Sequence, residues 1–265
     1  MIAALRLAQL SLSSLLMATS VTAQDTVVAD TTPAASPRAA VPFGMGERAE
    51  YSVKFGMFSV GNGLMEVAGL DTVRGREVWH TIFRIRGGVP GYRVNDRLES
   101  WMDTRTLSSL RHWQELSEGS RERERKFEIY PGSTYVENDR EPQPTVEHPL
   151  DDGSFLYFIR TIPLEVGQTY TFERYFRPDR NPVQVQVLRK ERISVPAGTF
   201  ETIVIRPIIK TKGVFSENGK AEIWLTDDDR RVMVQMKSRL SFGSINLFLK
   251  SYRPAKPDSS RVARR

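Results

Sequence analysis

Apolar and polar residues alternate with a period of two along most of the chain between residues 45 and 252. The clearest runs are 49–55, 79–85, 183–187, 203–205 and 232–236. Such alternation is typical of strands that bury one face. Turn-forming pairs lie between the runs, among them Gly87-Gly88, Pro131-Gly132 and Asn218-Gly219. We therefore predict an all-β domain at 45–252, a single curved antiparallel sheet or open β-barrel of roughly a dozen strands with one short helix.

The segment that begins at Asp151 departs from this alternation. Asp151-Asp152-Gly-Ser is followed by consecutive apolar residues up to Arg160, and Pro163 comes shortly after. Acidic and hydroxyl residues favour a helix start, and proline favours a helix end, so we predict a short helix here rather than a buried strand. Its apolar surface would cover the concave side of the sheet. We assign most of the tryptophans and phenylalanines to the core, because they fall at inward-alternating positions.

Both ends of the chain differ from the body. Residues 1–23 combine Arg6, a short apolar run and small residues before Gln24, which predicts a signal peptide cleaved after Ala23. Residues 24–44 have the composition of a flexible spacer, and 253–265 that of a basic disordered tail. We expect export to the periplasm, with secretion as the alternative. No later segment of the mature chain is apolar over the ~20 residues that a transmembrane helix needs.

Charge and cysteine content narrow the function. The formal net charge is +6, but the tail alone holds five basic residues against Asp258, so the predicted domain is close to neutral. This argues against nucleic-acid binding, which requires a basic surface on the fold. The absence of cysteine excludes disulfides, thiolate zinc sites and a cysteine nucleophile.

The other reactive residues form no catalytic or metal-binding motif. His80, His112 and His148 lack the spacing of zinc ligands, and the acidic run 227–229 resembles a turn between strands. Ser59 lies in a predicted hairpin and not at a strand-to-helix turn, where a serine nucleophile would be exposed. We predict no catalytic residues, no metal and no cofactor.

One strand is unusual in its charges. In the run 121–130, Arg121, Arg123 and Arg125 share a face with two apolar residues further along. A row of guanidinium groups beside an apolar face could bind an anionic headgroup or acid, and we select these arginines together with His80 as candidate ligand-binding residues. The alternative is an edge strand whose charges pair with neighbours and prevent aggregation.

Three stretches of the chain resemble one known family. The first contains Phe43-Gly-Met-Gly-Glu47 and Val60-Gly61-Asn-Gly63, the second runs from Asp151 to Arg160, and the third includes the stretch 221–231. Together they resemble the bacterial domain-of-unknown-function 3108 (DUF3108) family of exported proteins. The resemblance implies a curved antiparallel sheet in a Gram-negative cell envelope, and it implies no catalytic residues.

These observations lead to a function hypothesis with two alternatives. We expect a non-catalytic envelope protein whose curved sheet binds a lipid or an anionic envelope component in a cavity. The alternatives are a hydrolase acting on envelope polymers and a purely structural interaction module. The sequence leaves the ligand and the oligomeric state open.

Overall fold

The computed structural model describes residues 38–210, 221–240 and 243–256, and one antiparallel sheet of 14 strands dominates it. The strands are β1 (Arg48–Phe55), β2 (Phe58–Val73), β3 (Arg76–Val89), β4 (Tyr92–Asp103), β5 (Ser109–Glu118), β6 (Arg121–Tyr130), β7 (Thr134–Glu137), β8 (Gln143–Pro144), β9 (Thr169–Phe172), β10 (Val183–Val195), β11 (Gly198–Ile208), β12 (Glu222–Thr226), β13 (Met233–Leu240) and β14 (Gly243–Arg253). The all-β prediction is confirmed. The predicted signal peptide, the spacer up to residue 37, the turn at Asn218-Gly219 and the tail beyond residue 256 lie outside the described residues.

The strand order brings the first and last strands together. It runs β8-β7-β6-β5-β4-β3-β2-β1-β14-β13-β12-β11-β10-β9, and Arg48 of β1 lies opposite Arg253 of β14. The segments that follow the two edge strands meet in an isolated parallel bridge between Leu150 and Tyr175. The sheet is therefore curved enough to bring its edges together, while the described strands leave it open.

The inner face, which faces helix α1 (Asp152–Phe158), carries the main hydrophobic core. Predicted inward positions such as Tyr51 and Val185 are buried there. Asp151 caps the N-terminus of α1, Ser154 completes a capping box, and a 3-10 helix (Ile159–Thr161) follows before Pro163. The predicted helix is thus confirmed. Every residue of α1 from Gly153 onward is buried, so the helix fills the concave side of the sheet.

The outer face carries a smaller apolar cluster, which contains two tryptophans. Most of the tryptophans and phenylalanines assigned to the core are buried, among them Trp79, Phe155 and Phe176 in the inner core. Trp101 and Trp113 instead lie on the outer face with Val78 and Leu110. A tryptophan ring can be buried on a solvent-facing side when long charged side chains cover it. Arg111 lies over Trp101 in this way, 5.7 Å from the ring centre.

Candidate functional site

The predicted arginine row occupies the first half of β6. Arg121 and Arg123 are exposed, and Arg125 is half-buried on the inner face, where its Nε lies 3.4 Å from Glu137 Oε1. Phe127 continues the same face into the core with 1 % exposure. The predicted common face is therefore present. One of its three arginines is already paired with a carboxylate.

His80 lies on the outer face, away from this row. Its Nε2 is 2.5 Å from Glu99 Oε2, and its ring stacks on Trp101 with centroids 4.5 Å apart. The Trp101 indole in turn donates to Asp71 Oδ2 over 2.9 Å. Because His80 and the β6 arginines occupy opposite faces of the sheet, the structure does not bring the predicted site residues together.

A buried polar cluster, which the sequence did not reveal, lies beneath the N-terminus of α1. Asp151 accepts hydrogen bonds from the hydroxyls of Ser100 (2.6 Å) and Ser109 and from the backbone amides of Gly153 (2.8 Å) and Ser154 (2.9 Å). The side chains of Asp151, Ser100 and Ser109 are fully buried. These bonds attach the helix to strands β4 and β5.

His112 belongs to the same cluster and is fully enclosed as well. Its Nδ1 lies 2.8 Å from the backbone oxygen of Glu99, and its Nε2 lies 2.9 Å from Gln114 Nε2, which also donates to Asp152 Oδ2 over 2.9 Å. Serine, histidine and aspartate are thus close together, but Ser100 donates to the aspartate directly. In a nucleophilic triad the serine hydroxyl donates to histidine instead. The geometry supports a role in holding the helix.

A groove of about 390 Å³ opens on the outer face across β3, β2, β1 and β14. It is lined by Arg48, Glu50, Tyr51, Asn62, Gly63, Leu64, Arg84, Arg86 and Lys250. Four of these nine residues are basic and one is acidic, so the groove has an excess of positive charge. We call it the outer groove.

Arg84 is the distinctive residue of the outer groove. Within the described part of the chain its guanidinium makes no hydrogen bond and no ion pair. Partial burial lowers its pKa, as do the charges of Arg97 and Arg86, and together these outweigh the opposing effect of the carboxylates of Glu66 and Glu99. Nearby positive charge and desolvation both disfavour a lone cation. An anion at this position would relieve both.

The other basic residues of the outer groove differ in how far they are neutralised. Arg48 donates hydrogen bonds to Glu50 (2.9 Å) and Glu66 (2.7 Å), and the bond that it donates to Glu50 is the main cause of its raised pKa. Arg86 donates only to the neutral Asn95 over 2.9 Å. Arg86 therefore shares with Arg84 the capacity to bind an added anion.

A β-bulge supplies the fourth basic residue. In the β1–β14 pair, Glu50 lies opposite Ser251, whereas Tyr51 lies opposite Leu249. Lys250 is the extra residue of this bulge and reaches the groove. The alternation of apolar and polar residues along β3 places Arg84 and Arg86 on the outer face, but it gives no sign that β14 contributes a lysine beside them.

Comparison with known proteins identifies the family. The model of a protein family of unknown function, DUF3108, matches residues 50–250. The chain belongs to the DUF3108 family. The resemblance seen in the sequence is thus confirmed. The comparison with curated proteins gives no match.

Solved structures show a similar fold. A β-barrel-like protein of the DUF1849 family from Brucella abortus is 10% identical, with a TM-score of 0.54 over 82% of this chain and 100% of that chain. A candidate lipoprotein from Parabacteroides distasonis (TM-score 0.37, 10% identity) and a candidate exported protein from Bacteroides fragilis (0.30, 9%) match over 82% and 81% of this DUF3108 chain and 100% of theirs. The Brucella protein supports the β-barrel-like fold.

The described residues contain no group of three or more histidine or acidic side chains placed to hold a metal ion. Within the same part of the chain, no helix has both the length and the apolar character needed to span a bilayer.

Proposed function

We propose that this DUF3108 protein is a non-catalytic, exported envelope protein that binds an anionic envelope component in the outer groove. The observation that carries the proposal is Arg84, a half-buried guanidinium without a hydrogen-bonding or ion-pairing partner among the described residues. The periplasmic location rests on the predicted signal peptide at residues 1–23.

The chemistry of the groove favours a phosphate or carboxylate. A guanidinium presents several donors in one plane and binds such groups through two parallel hydrogen bonds. Arg84 and Arg86 lie two residues apart on the same face of β3, and Lys250 adds a charge from β14. Neighbouring Asn62 offers a neutral polar group for orienting a ligand.

The outer groove replaces the concave side as the preferred location. We had expected a ligand cavity within the curve of the sheet, but α1 and the aromatic core occupy that space, with Phe127 and Phe176 in edge contact at 5.2 Å. The exposed arginines of β6 are the alternative location for the ligand, and the experiment below distinguishes the two.

The non-catalytic part of the proposal has its own support. A hydrolase acting on envelope polymers would require reactive side chains that a substrate can reach. The residues that most resemble such a set, Ser100, His112 and Asp151, are enclosed and bonded to one another and to backbone groups. Their bonding pattern supports a structural role.

Titration calorimetry with inorganic pyrophosphate at low ionic strength tests the proposal. We expect saturable binding that weakens at high salt, because exposed charges are screened. The double variant Arg84→Gln/Arg86→Gln should lose at least about tenfold in affinity, since each bond to a charged group contributes ~1.5–3 kcal/mol. Arg121→Gln/Arg123→Gln is the matched control and should bind normally.

The converse results are equally informative. Loss of binding only in the Arg121→Gln/Arg123→Gln variant would transfer the site to β6. Equal binding by both variants and the unmodified protein, or absence of binding to all three, would overturn the proposal. Because Arg84 is not paired with another described side chain, its replacement should leave the protein folded.

A further inference from the structure

The turn between β1 and β2 exposes two large apolar side chains in succession. Met57 is 92% exposed and Phe58 is 75% exposed, compared with 50% for Val166 and 41% for Tyr130, the other exposed large apolar residues described. Single exposed apolar residues are ordinary on protein surfaces. Two in sequence at the outermost point of a hairpin instead form a contiguous apolar tip, and contiguous exposed apolar surface distinguishes interaction sites from scattered apolar residues.

The hairpin that carries this tip is held in place. Gly56 adopts a φ of +58°, which suits a tight turn, and its amide donates to the backbone oxygen of Ser244 on β14 over 3.2 Å. Lys54 lies over the ring of Phe248 at 5.3 Å. The strand therefore presents Met57 and Phe58 from a fixed base, and little ordering is required when they meet a partner.

Exposed basic side chains lie at the same end of the sheet as the tip. In an antiparallel meander the turns after β1, β3 and β5 lie at the same end of the sheet. This end carries exposed Arg86 and Arg93 beside the second turn, and exposed Arg121 and Arg123 beside the third. Glu122 and Glu124 are exposed beside the same turn, so these four arginines still leave an excess of positive charge among the exposed residues. Arg121 and Arg123 of the predicted row therefore lie at the same end of the sheet as the apolar tip.

The outer groove opens on the same strands as the tip. Phe58 is four residues from Asn62 along β2, about 13 Å at the ~3.3 Å rise of a strand. The apolar tip, the exposed arginines and the outer groove therefore lie toward the same end of the sheet. An apolar tip with positive charge at its sheet end and in the groove behind it matches the layers of an anionic bilayer, where acyl chains lie beneath negative headgroups.

We propose that the Met57-Phe58 tip inserts into the interface of an anionic phospholipid bilayer and places the outer groove among the headgroups. The inference rests on the proposed function, because it makes lipid phosphates the anions that the groove binds. Attraction between basic residues and anionic lipids adds to the burial of the apolar tip in this kind of attachment. The protein would then lie at a membrane surface.

A single labelling site tests the insertion directly. The chain has no cysteine, so Met57→Cys can be labelled with an environment-sensitive fluorophore, and Val166→Cys serves as the control at another exposed apolar position. With vesicles of phosphatidylglycerol and phosphatidylcholine, we expect a blue shift and quenching by nitroxide-labelled lipids at position 57 only. Vesicles of phosphatidylcholine alone should give a much smaller change.

A second measurement separates the inference from the proposed function. Met57→Ser/Phe58→Ser should reduce vesicle co-sedimentation at least about tenfold, because the apolar contribution is lost. The same variant should bind pyrophosphate normally, because the groove is intact. Normal vesicle binding by this variant, or equal signals at positions 57 and 166, would overturn the insertion and leave the groove proposal standing. A blue shift that depends on protein concentration without vesicles would also overturn it, in favour of a second copy of this chain.

Discussion

Arg160 and Glu47 form a buried bidentate ion pair, with Nη1–Oε1 at 2.6 Å and Nη2–Oε2 at 3.1 Å. The Arg160 guanidinium also donates to the backbone oxygen of Arg230 over 2.8 Å. Glu47, Arg160 and Arg230 belong to the three separate stretches that carry the DUF3108 resemblance. These stretches therefore meet at one guanidinium, where they fix the end of the helical segment against the sheet.

Replacing one partner of this pair should destabilise the protein strongly. Burial lowers the pKa of Arg160, but the hydrogen bond and charge of Glu47 outweigh this and hold the pKa above its usual value. Glu47→Gln would leave a buried positive charge uncompensated, and we expect the free energy of unfolding to fall by about 3–5 kcal/mol. Urea denaturation measures the change.

Two further variants complete this test. Glu47→Leu/Arg160→Met removes both charges and should cost less than Glu47→Gln alone. Glu201→Gln breaks an exposed ion pair with Arg192, whose atoms are 3.5 Å apart, and should cost ~0–1 kcal/mol. A similar small loss for Glu47→Gln would contradict the structural role given to the buried pair.

Two glycines of β2 should respond very differently to substitution. A Cβ at Gly61 would lie 2.0 Å from the backbone oxygen of Arg86, whereas a Cβ at Gly69 would have no atom within 4 Å. Gly61→Ala would therefore force β2 and β3 apart, and we expect a loss of at least about 2 kcal/mol from strain. Gly69→Ala is the control and should change stability by less than about 1 kcal/mol. Equal melting temperatures for the two variants would contradict the close approach of these strands.

Asp151→Ala tests the attachment of α1. It removes an N-cap, worth ~1 kcal/mol, and deprives Ser100 and Ser109 of their acceptor, at ~1–3 kcal/mol for each unsatisfied hydroxyl. We expect a total loss of at least about 3 kcal/mol in urea denaturation. Asp179→Ala, in an exposed 3-10 helix (Pro178–Arg180), should be nearly neutral. An unchanged free energy of unfolding in Asp151→Ala would contradict the structural role of the polar cluster and favour a functional one.

Alkaline pH should destabilise the protein through its buried tyrosines. Burial, followed by the charge of Glu47, raises the pKa of Tyr252 from 10.0 to about 12, and burial raises the pKa of Tyr157 as well. Since the pKa of these tyrosines is raised in the folded state, they contribute fully to the free energy of unfolding below pH ~10. This contribution disappears as the pH rises toward 12. Urea denaturation at several pH values should show this decline, with a shallower slope for Tyr252→Phe. A stability independent of pH between 10 and 12 would contradict the prediction.

Much of the fold could be predicted because its signals are local. Alternation at Tyr51 and Val53 or at Val183 and Val185 requires only the neighbouring residues, and each of these side chains is buried as expected. The helix could be predicted from Asp151 for the same reason. The tryptophans were harder, because Trp101 is buried on the outer face by a stacked histidine and an overlying arginine, which a hydrophobic pattern does not report.

The candidate site could not be assembled from sequence because its parts are distant in the chain. Arg84 and Lys250 share a groove only because β1 pairs with both β2 and β14, and because a bulge inserts the lysine. Conversely, the sequence allowed His80 and the β6 arginines to be predicted as parts of one binding site. The strand register places them on opposite faces of one sheet.

The pairing of β1 with β14 has a consequence for how the fold is reached. These two strands are neighbours near the middle of the sheet, yet about 200 residues separate their paired positions, so their contact carries a large loop-closure cost. The meanders β1–β8 and β9–β14 can each form from local hairpins. In a chain that emerges N-terminus first, β1 keeps one unpaired edge until β14 has been made. Completion of the sheet is therefore a late event in folding, dependent on the last strand to appear.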